Sequence, residues 1–206
     1  MRLLKITLLA VTIGMAATAF GQEESDIFTR HEVSVGYGFI PSTSLGYSAN
    51  QNFPATREYV GSITACYTYK FNKVIGMGAT LAFDNHSYQM LDKNADNATV
   101  CDVRQNIGTA LVHLKVNWVR TKVVTMYSKI GIGISFYSNN VNVVDSVNYI
   151  VNTDNMPKTC STGYSLIPVG IELGSKQYAA FMQLGCGAEG IFSLGFRCGI
   201  NKTYKQ

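Results

Sequence analysis

Beyond residue 21 the sequence contains no apolar run longer than a handful of residues before Gly, Lys, Asn or Ser interrupts it. A membrane-spanning helix needs about 20 apolar residues in a row, so no later segment qualifies. Helical periodicity is almost absent as well, which excludes a helical bundle. Basic residues occur singly and never in clusters. The formal net charge is only +4, half of it carried by Arg2 and Lys5, and this excludes the electrostatic footprint of a nucleic-acid partner. The five cysteines, Cys66, Cys101, Cys160, Cys186 and Cys198, lack the close paired spacing of a structural zinc site. No metal and no cofactor is expected.

What is present begins with an export signal. Met1, Arg2 and Lys5 open the chain with positive charge, an apolar stretch runs from Ile6 to Ala17, and Ala19-Phe20-Gly21 offers a small-x-small cleavage site. Residues 1–21 are therefore expected to be a signal peptide and residues 22–206 the mature domain. An exported chain meets conditions that permit disulfides, and an odd number of cysteines leaves at least one thiol without an internal partner.

From about residue 32 to 200, apolar and polar residues alternate with a period of two, the signature of strands. Val33, Val35, Tyr37 and Phe39 share one face of the first run, and Glu32, Ser34, Gly36 and Gly38 the other. The second sets Tyr59, Ile63, Ala65, Tyr67, Tyr69 and Phe71 against Glu58, Ser62, Thr64, Thr68 and Lys70. The third sets Ile75 to Phe83 against Gly76, Gly78, Thr80 and Asp84. The remaining runs start near Thr109, Val124, Ile167, Gln177 and Phe192, and Ile167, Val169, Ile171 and Leu173 form the apolar side of the sixth.

Charged residues deep within these runs (Glu58, Lys115, Lys129, Glu172 and Arg197, with His113) fall on the second face, which is also the glycine-rich one. The inside of an eight-stranded barrel is only just wide enough for side chains, so glycine belongs on the cramped side. The charges are then expected to form a paired interior network, because buried charges persist only when paired. Aromatics cap the apolar face at both ends. Tyr67, Tyr69, Phe71, Trp118 and Tyr178 lie at one, and Phe39, Tyr59, Phe83, Phe136 and Phe192 at the other. Two aromatic belts flanking an aliphatic band match the two interfaces of a membrane.

The connections divide in the same sense. Those near Asn72, Arg120 to Lys122, Gly174 to Lys176, and Ala188 are short. Those from about Ile40 to Arg57, Asn85 to Arg104 and Tyr137 to Tyr164 are long and rich in Asn, Asp and Ser. Short turns at one end and long loops at the other, with an even strand count, predict an all-β, eight-stranded antiparallel up-and-down transmembrane barrel. Cys101 and Cys160 fall in two of the long loops, where a disulfide is open to them.

Over residues 32–200 this pattern resembles the small eight-stranded outer-membrane barrels of the OmpX type and the OmpA transmembrane domain. The resemblance implies a monomer in the bacterial outer membrane, in contact with its lipids. Its role would be structural or surface contact, through loops that meet an extracellular protein or glycan, without catalysis. Two other classes fit parts of the pattern. A soluble lipocalin-like barrel would bind a small apolar ligand. An outer-membrane lipid-modifying enzyme would use groups such as Asp84, His86 and Ser87, but adjacent strand residues point to opposite faces, which separates His86 from Ser87. Gly185, Gly187 and Gly190 spell G-x-G-x-x-G, but a strand follows where a dinucleotide site needs a helix.

Overall fold

The computed structural model describes residues 29–40, 55–92, 98–143 and 160–200. The expected signal peptide, residues 1–21, lies outside them. The described chain forms eight strands: β1 (His31–Phe39), β2 (Ala55–Lys70), β3 (Ile75–Asp92), β4 (Ala98–Arg120), β5 (Val124–Val143), β6 (Cys160–Gly174), β7 (Tyr178–Gly187) and β8 (Phe192–Ile200). Each pairs antiparallel with the next, and β8 returns to β1, His31 facing Ile200 and Phe39 facing Phe192. The sheet closes on itself as an up-and-down barrel, which satisfies the backbone around the whole wall.

The wall is polar within and apolar without. Ile132 is 67% exposed and Phe196 76%, whereas Glu32 is 2% exposed. The few apolar side chains that do point inward, among them Ile107, Leu111, Tyr127 and Phe181, fill space between paired polar groups.

Three short turns at one end are built alike. Asn72 Oδ1 accepts from the amides of Val74 (2.8 Å) and Ile75 (2.7 Å), Thr121 Oγ1 from that of Val124 (2.9 Å), and Ser175 Oγ from that of Tyr178 (3.0 Å). A short polar side chain that hydrogen-bonds the backbone three residues on is what makes Asn, Thr and Ser turn formers.

The strands run further than alternation indicates. Much of the region read as the loop from Asn85 to Arg104 is strand, since β3 continues to Asp92 and β4 begins at Ala98. Likewise β5 reaches Val143 and β6 starts at Cys160, so residues 144–159 are what remains of the third long connection. The wall is consequently lopsided: β3, β4 and β5 have 18, 23 and 20 residues, and β1, β7 and β8 have 9, 10 and 9.

Bulges shift the register in two places that bear on the expected faces. Gly61, with φ of 93°, sits in a register shift between Tyr59 and Ser62, so that Tyr59 pairs with His86 and Glu58 with Ser87. The side chains of Glu58 and Tyr59, expected on the polar and the apolar face, lie outside those the structure describes. A second shift at Leu166/Val169 turns Ile167 inward, where it is 1% exposed instead of lining the outer face. One extra residue in a strand changes the parity of everything beyond it.

Candidate functional site

The chemistry of this chain is concentrated in the barrel interior. Near the short-turn end, Glu32 from β1 and Glu172 from β6 meet three cations. Lys70 from β2 lies 2.5 Å and Lys115 from β4 lies 3.3 Å from the Glu32 carboxylate, and Arg197 Nη1 from β8 is 3.0 Å from Glu32 Oε1. Arg197 Nε lies 2.9 Å from Glu172 Oε2, and Lys115 also pairs with Glu172. The Arg197 guanidinium goes on to donate to the carbonyls of Ser175 and Lys176, each at 3.0 Å, which ties the cluster to the β6–β7 turn. Five strands thus converge on two carboxylates whose lone pairs are used from several sides, the condition under which buried charge is tolerated.

A second cluster lies on the other side of Tyr127. Lys115 Nζ is 4.4 Å from the centroid of the Tyr127 ring, and the Tyr127 hydroxyl donates to Gln183 Oε1 at 2.9 Å. Gln183 Nε2 in turn donates to Glu189 at 3.1 Å. Glu189 receives Lys129 at 2.5 Å and the Ser165 hydroxyl at 2.9 Å. Lys129 also lies 3.8 Å from Cys66 Sγ, which accepts from the Thr80 hydroxyl at 3.3 Å. His113 spans Thr68 (2.9 Å) and Thr80 (2.8 Å). These roles close if Nδ1–H donates to Thr80, whose own hydroxyl donates on to Cys66, while Nε2 accepts from Thr68.

Glu189 comes from the β7–β8 hairpin, which turns into the barrel instead of standing out as a loop. Gly187 and Gly190 have φ of 118° and 87°, a backbone that side-chain-bearing residues rarely adopt. The Ser193 hydroxyl donates to the Glu189 carbonyl at 2.5 Å and the Ser62 hydroxyl to the Ala188 carbonyl at 2.9 Å, pinning the turn from β8 and β2. Across from it Gly38 of β1 leaves the room: a Cβ there would overlap the Glu189 carbonyl.

The structure therefore brings together Lys115, Glu172 and Arg197, places Lys129 in the second cluster, and leaves His113 hydrogen-bonded to hydroxyls between them. The side chain of Glu58 lies outside those the structure describes. Glu32 and Lys70, which alternation already put on the polar side, and Glu189, which it assigned to a hairpin, complete the pairs. Among the girdle residues, Phe39, Tyr67, Phe71, Phe83, Phe136 and Tyr178 are exposed on the outer wall, and Tyr69, Trp118 and Phe192 are half-buried there. Ring contacts join Tyr69 to Phe71 and Phe39 to Phe192 at the two ends.

The Cys101 side chain, one partner of the expected Cys101–Cys160 option, lies outside those the structure describes, and only the backbone registers bear on the pair. Both residues lie in strands, Cys101 opposite Val143 and Cys160 opposite Phe136. Those partners are seven residues apart along β5, roughly 23 Å at about 3.3 Å per residue, whereas a disulfide needs Cα atoms within about 7 Å. Cys160 is a free thiol.

Asp84 and His86 face inward while Ser87 has the opposite parity, and the strand β8, not a helix, follows Gly190. Among the described residues no three His, Cys, Asp or Glu side chains are grouped to hold a metal. A lipocalin-like site needs an apolar interior, and this interior is ionic.

No family model and no curated protein sequence matches the chain. Among solved structures it is similar to Ail, the attachment invasion locus protein of Yersinia pestis, crystallised in complex with the heparin analogue sucrose octasulfate. Identity is 10% over 83% of this chain and 95% of that one, with a TM-score of 0.37. It is also similar to the outer-membrane protein OprG from Pseudomonas aeruginosa, with 11% identity over 84% of this chain and 90% of that one and a TM-score of 0.40.

Proposed function

We propose that this chain is exported, loses residues 1–21, and resides in a bacterial outer membrane as a sealed barrel that acts by contact, without catalysis. Its short turns would face the periplasm and its long connections the outside. One observation carries the reading: the barrel is inverted, with charge pairs inside and a continuous outer surface of exposed apolar side chains such as Val35, Ile63, Leu81, Val112, Ile132 and Phe196. In water such a surface would drive aggregation, whereas in a bilayer it is the required exterior.

With the interior closed by its own side chains, interaction falls to the parts that leave the membrane. The connecting segments 41–54 and 144–159 are rich in Asn and Ser, and loops carried on a rigid scaffold are where contact residues concentrate. Their partner would be an extracellular protein or glycan, met by a monomeric barrel.

Fractionation tests the location. The protein should sediment with outer membranes, require detergent for extraction, and migrate faster unheated than boiled in gel electrophoresis. Recovery as a soluble monomer without detergent overturns the reading. For the contact role, envelope or host molecules retained by the intact protein should be lost when residues 144–159 are replaced by a short linker, with the folded mobility unchanged.

A further inference from the structure

One thiol of the chain, Cys66 on β2, is enclosed by the barrel and has no second thiol to meet there. Cys198 lies between the buried residues Arg197 and Gly199, so it faces outward, since neighbours on a strand point to opposite faces. Cys186 pairs with exposed Leu166 and shares its outer face, and Cys160 is exposed. Cys101 is ten residues along β4 from Leu111, which pairs with Thr80 at the level of Cys66, roughly 33 Å at about 3.3 Å per residue. A disulfide, the usual end of thiol oxidation, is closed to Cys66.

What Cys66 does meet is an amine. Lys129 Nζ of β5 lies 3.8 Å from Cys66 Sγ, and the Thr80 hydroxyl donates to the same sulfur at 3.3 Å. Glu189 Oε2, 2.5 Å from that ammonium, is in place to take its proton. A sulfur nucleophile, an amine and a proton acceptor are thus gathered on three elements, β2, β5 and the β7–β8 hairpin, and all three residues are buried. The Lys129–Glu189 pair is complete without the sulfur, so the ion-pair network alone does not account for a thiol at this position.

We propose that Cys66 and Lys129 form an oxidative cross-link, a sulfenamide, when hydrogen peroxide enters the barrel. Peroxide is polar and little larger than water, and local opening of a polar interior admits it. In the first step the Cys66 sulfur attacks peroxide: an S–O bond forms, the O–O bond breaks, sulfur gives up two electrons, and one water leaves a sulfenic acid. In the second, Lys129 passes one proton to Glu189 and its nitrogen attacks that sulfur. The S–N bond forms, the S–O bond breaks, and the departing hydroxide takes a second proton from nitrogen and leaves as water. The bond joins β2 to β5, which are not neighbours in the wall. Oxidation therefore staples the barrel across its interior and replaces the ion pair at the inturned hairpin with a neutral carboxylic acid.

Mass spectrometry of the full chain, folded in detergent and treated with hydrogen peroxide, tests the link. C101S/C160S/C186S/C198S leaves Cys66 as the single thiol, so no internal disulfide can form. This variant should yield a product lighter by about 2 Da, the two hydrogens lost, and dithiothreitol should restore the original mass. Trypsin should fail to cut after Lys129 and should release a peptide pair joining Cys66 to Lys129. Adding K129M/E189Q, which neutralises both partners, should abolish the lighter product and leave a sulfenic acid that dimedone captures. Heat-modifiable mobility verifies each fold. The wild type with its outer thiols capped by N-ethylmaleimide while folded should behave as the four-serine variant does, and stands in for it if that variant does not fold. No lighter product, a lighter product that survives K129M/E189Q, or an oxygenated Cys66 beside a Lys129 that trypsin still cleaves overturns the proposal.

Discussion

Lys129 is 7% exposed, and its ammonium is held by a carboxylate from a hairpin rather than from a strand. Removing that carboxylate's charge leaves an uncompensated cation in the barrel, which typically costs about 3 kcal/mol or more, whereas replacing both partners by neutral groups of similar shape costs far less. Glu189→Gln should therefore lower stability by about 3 kcal/mol, and the double change Lys129→Met with Glu189→Gln should recover most of it. Urea unfolding in lipid vesicles, followed through the fluorescence of Trp118, the single tryptophan, measures both. Identical midpoints for the wild type and Glu189→Gln would show that the pair contributes nothing. At this scale alternation reveals the sign of a position but not its partner. Lys115, Lys129, Glu172 and Arg197 are legible because they sit mid-strand on the polar face. Glu189 is not, since a turn has no parity. The glycines on both sides of it, with Gly38 on a distant strand, are the trace it leaves in the sequence.

At the scale of strands, sequence and structure part where the environment ceases to be two-sided. Where one face of the wall is apolar and the other polar, alternation marks the strand. Segments such as 137–143 and 98–104 continue the ladder past the pair Phe136 and Gly108, where the sequence turns to Asn, Asp and Ser. They therefore read as loops. Bulges are the other failure: nothing in the period announces that Gly61 will take a left-handed backbone, or that the shift at Leu166/Val169 will turn Ile167 inward. Register also decides the thiols. The protein should migrate identically with and without reductant, and peptide mapping under non-reducing conditions should find Cys101 and Cys160 unlinked. A cross-linked peptide would require β4 or β6 to slide by seven residues.

For the whole molecule, the count and closure of strands were readable because an eight-stranded wall leaves so little interior that glycines and charges must share it. How that interior is sealed was not, because the seal is tertiary: all eight strands and a hairpin contribute side chains to one set of ion pairs and hydrogen bonds joined through the Lys115–Tyr127 contact. A barrel filled in this way should give no resolved single-channel steps in planar bilayers under conditions where a general porin conducts. Regular openings in the wild type would mean that the two clusters separate.

The inturned β7–β8 hairpin also bears on how such a barrel is made. A plug that is part of the wall it blocks is present at very high effective concentration and cannot be lost by dilution, unlike a bound ligand. Its seat is assembled from Gly38 of β1, Lys129 of β5 and Ser165 of β6, so it is incomplete until the first and last strands have met. Circumferential closure and occlusion are then coupled, because the full set of contacts that holds Glu189 inside exists only where β8 lies against β1.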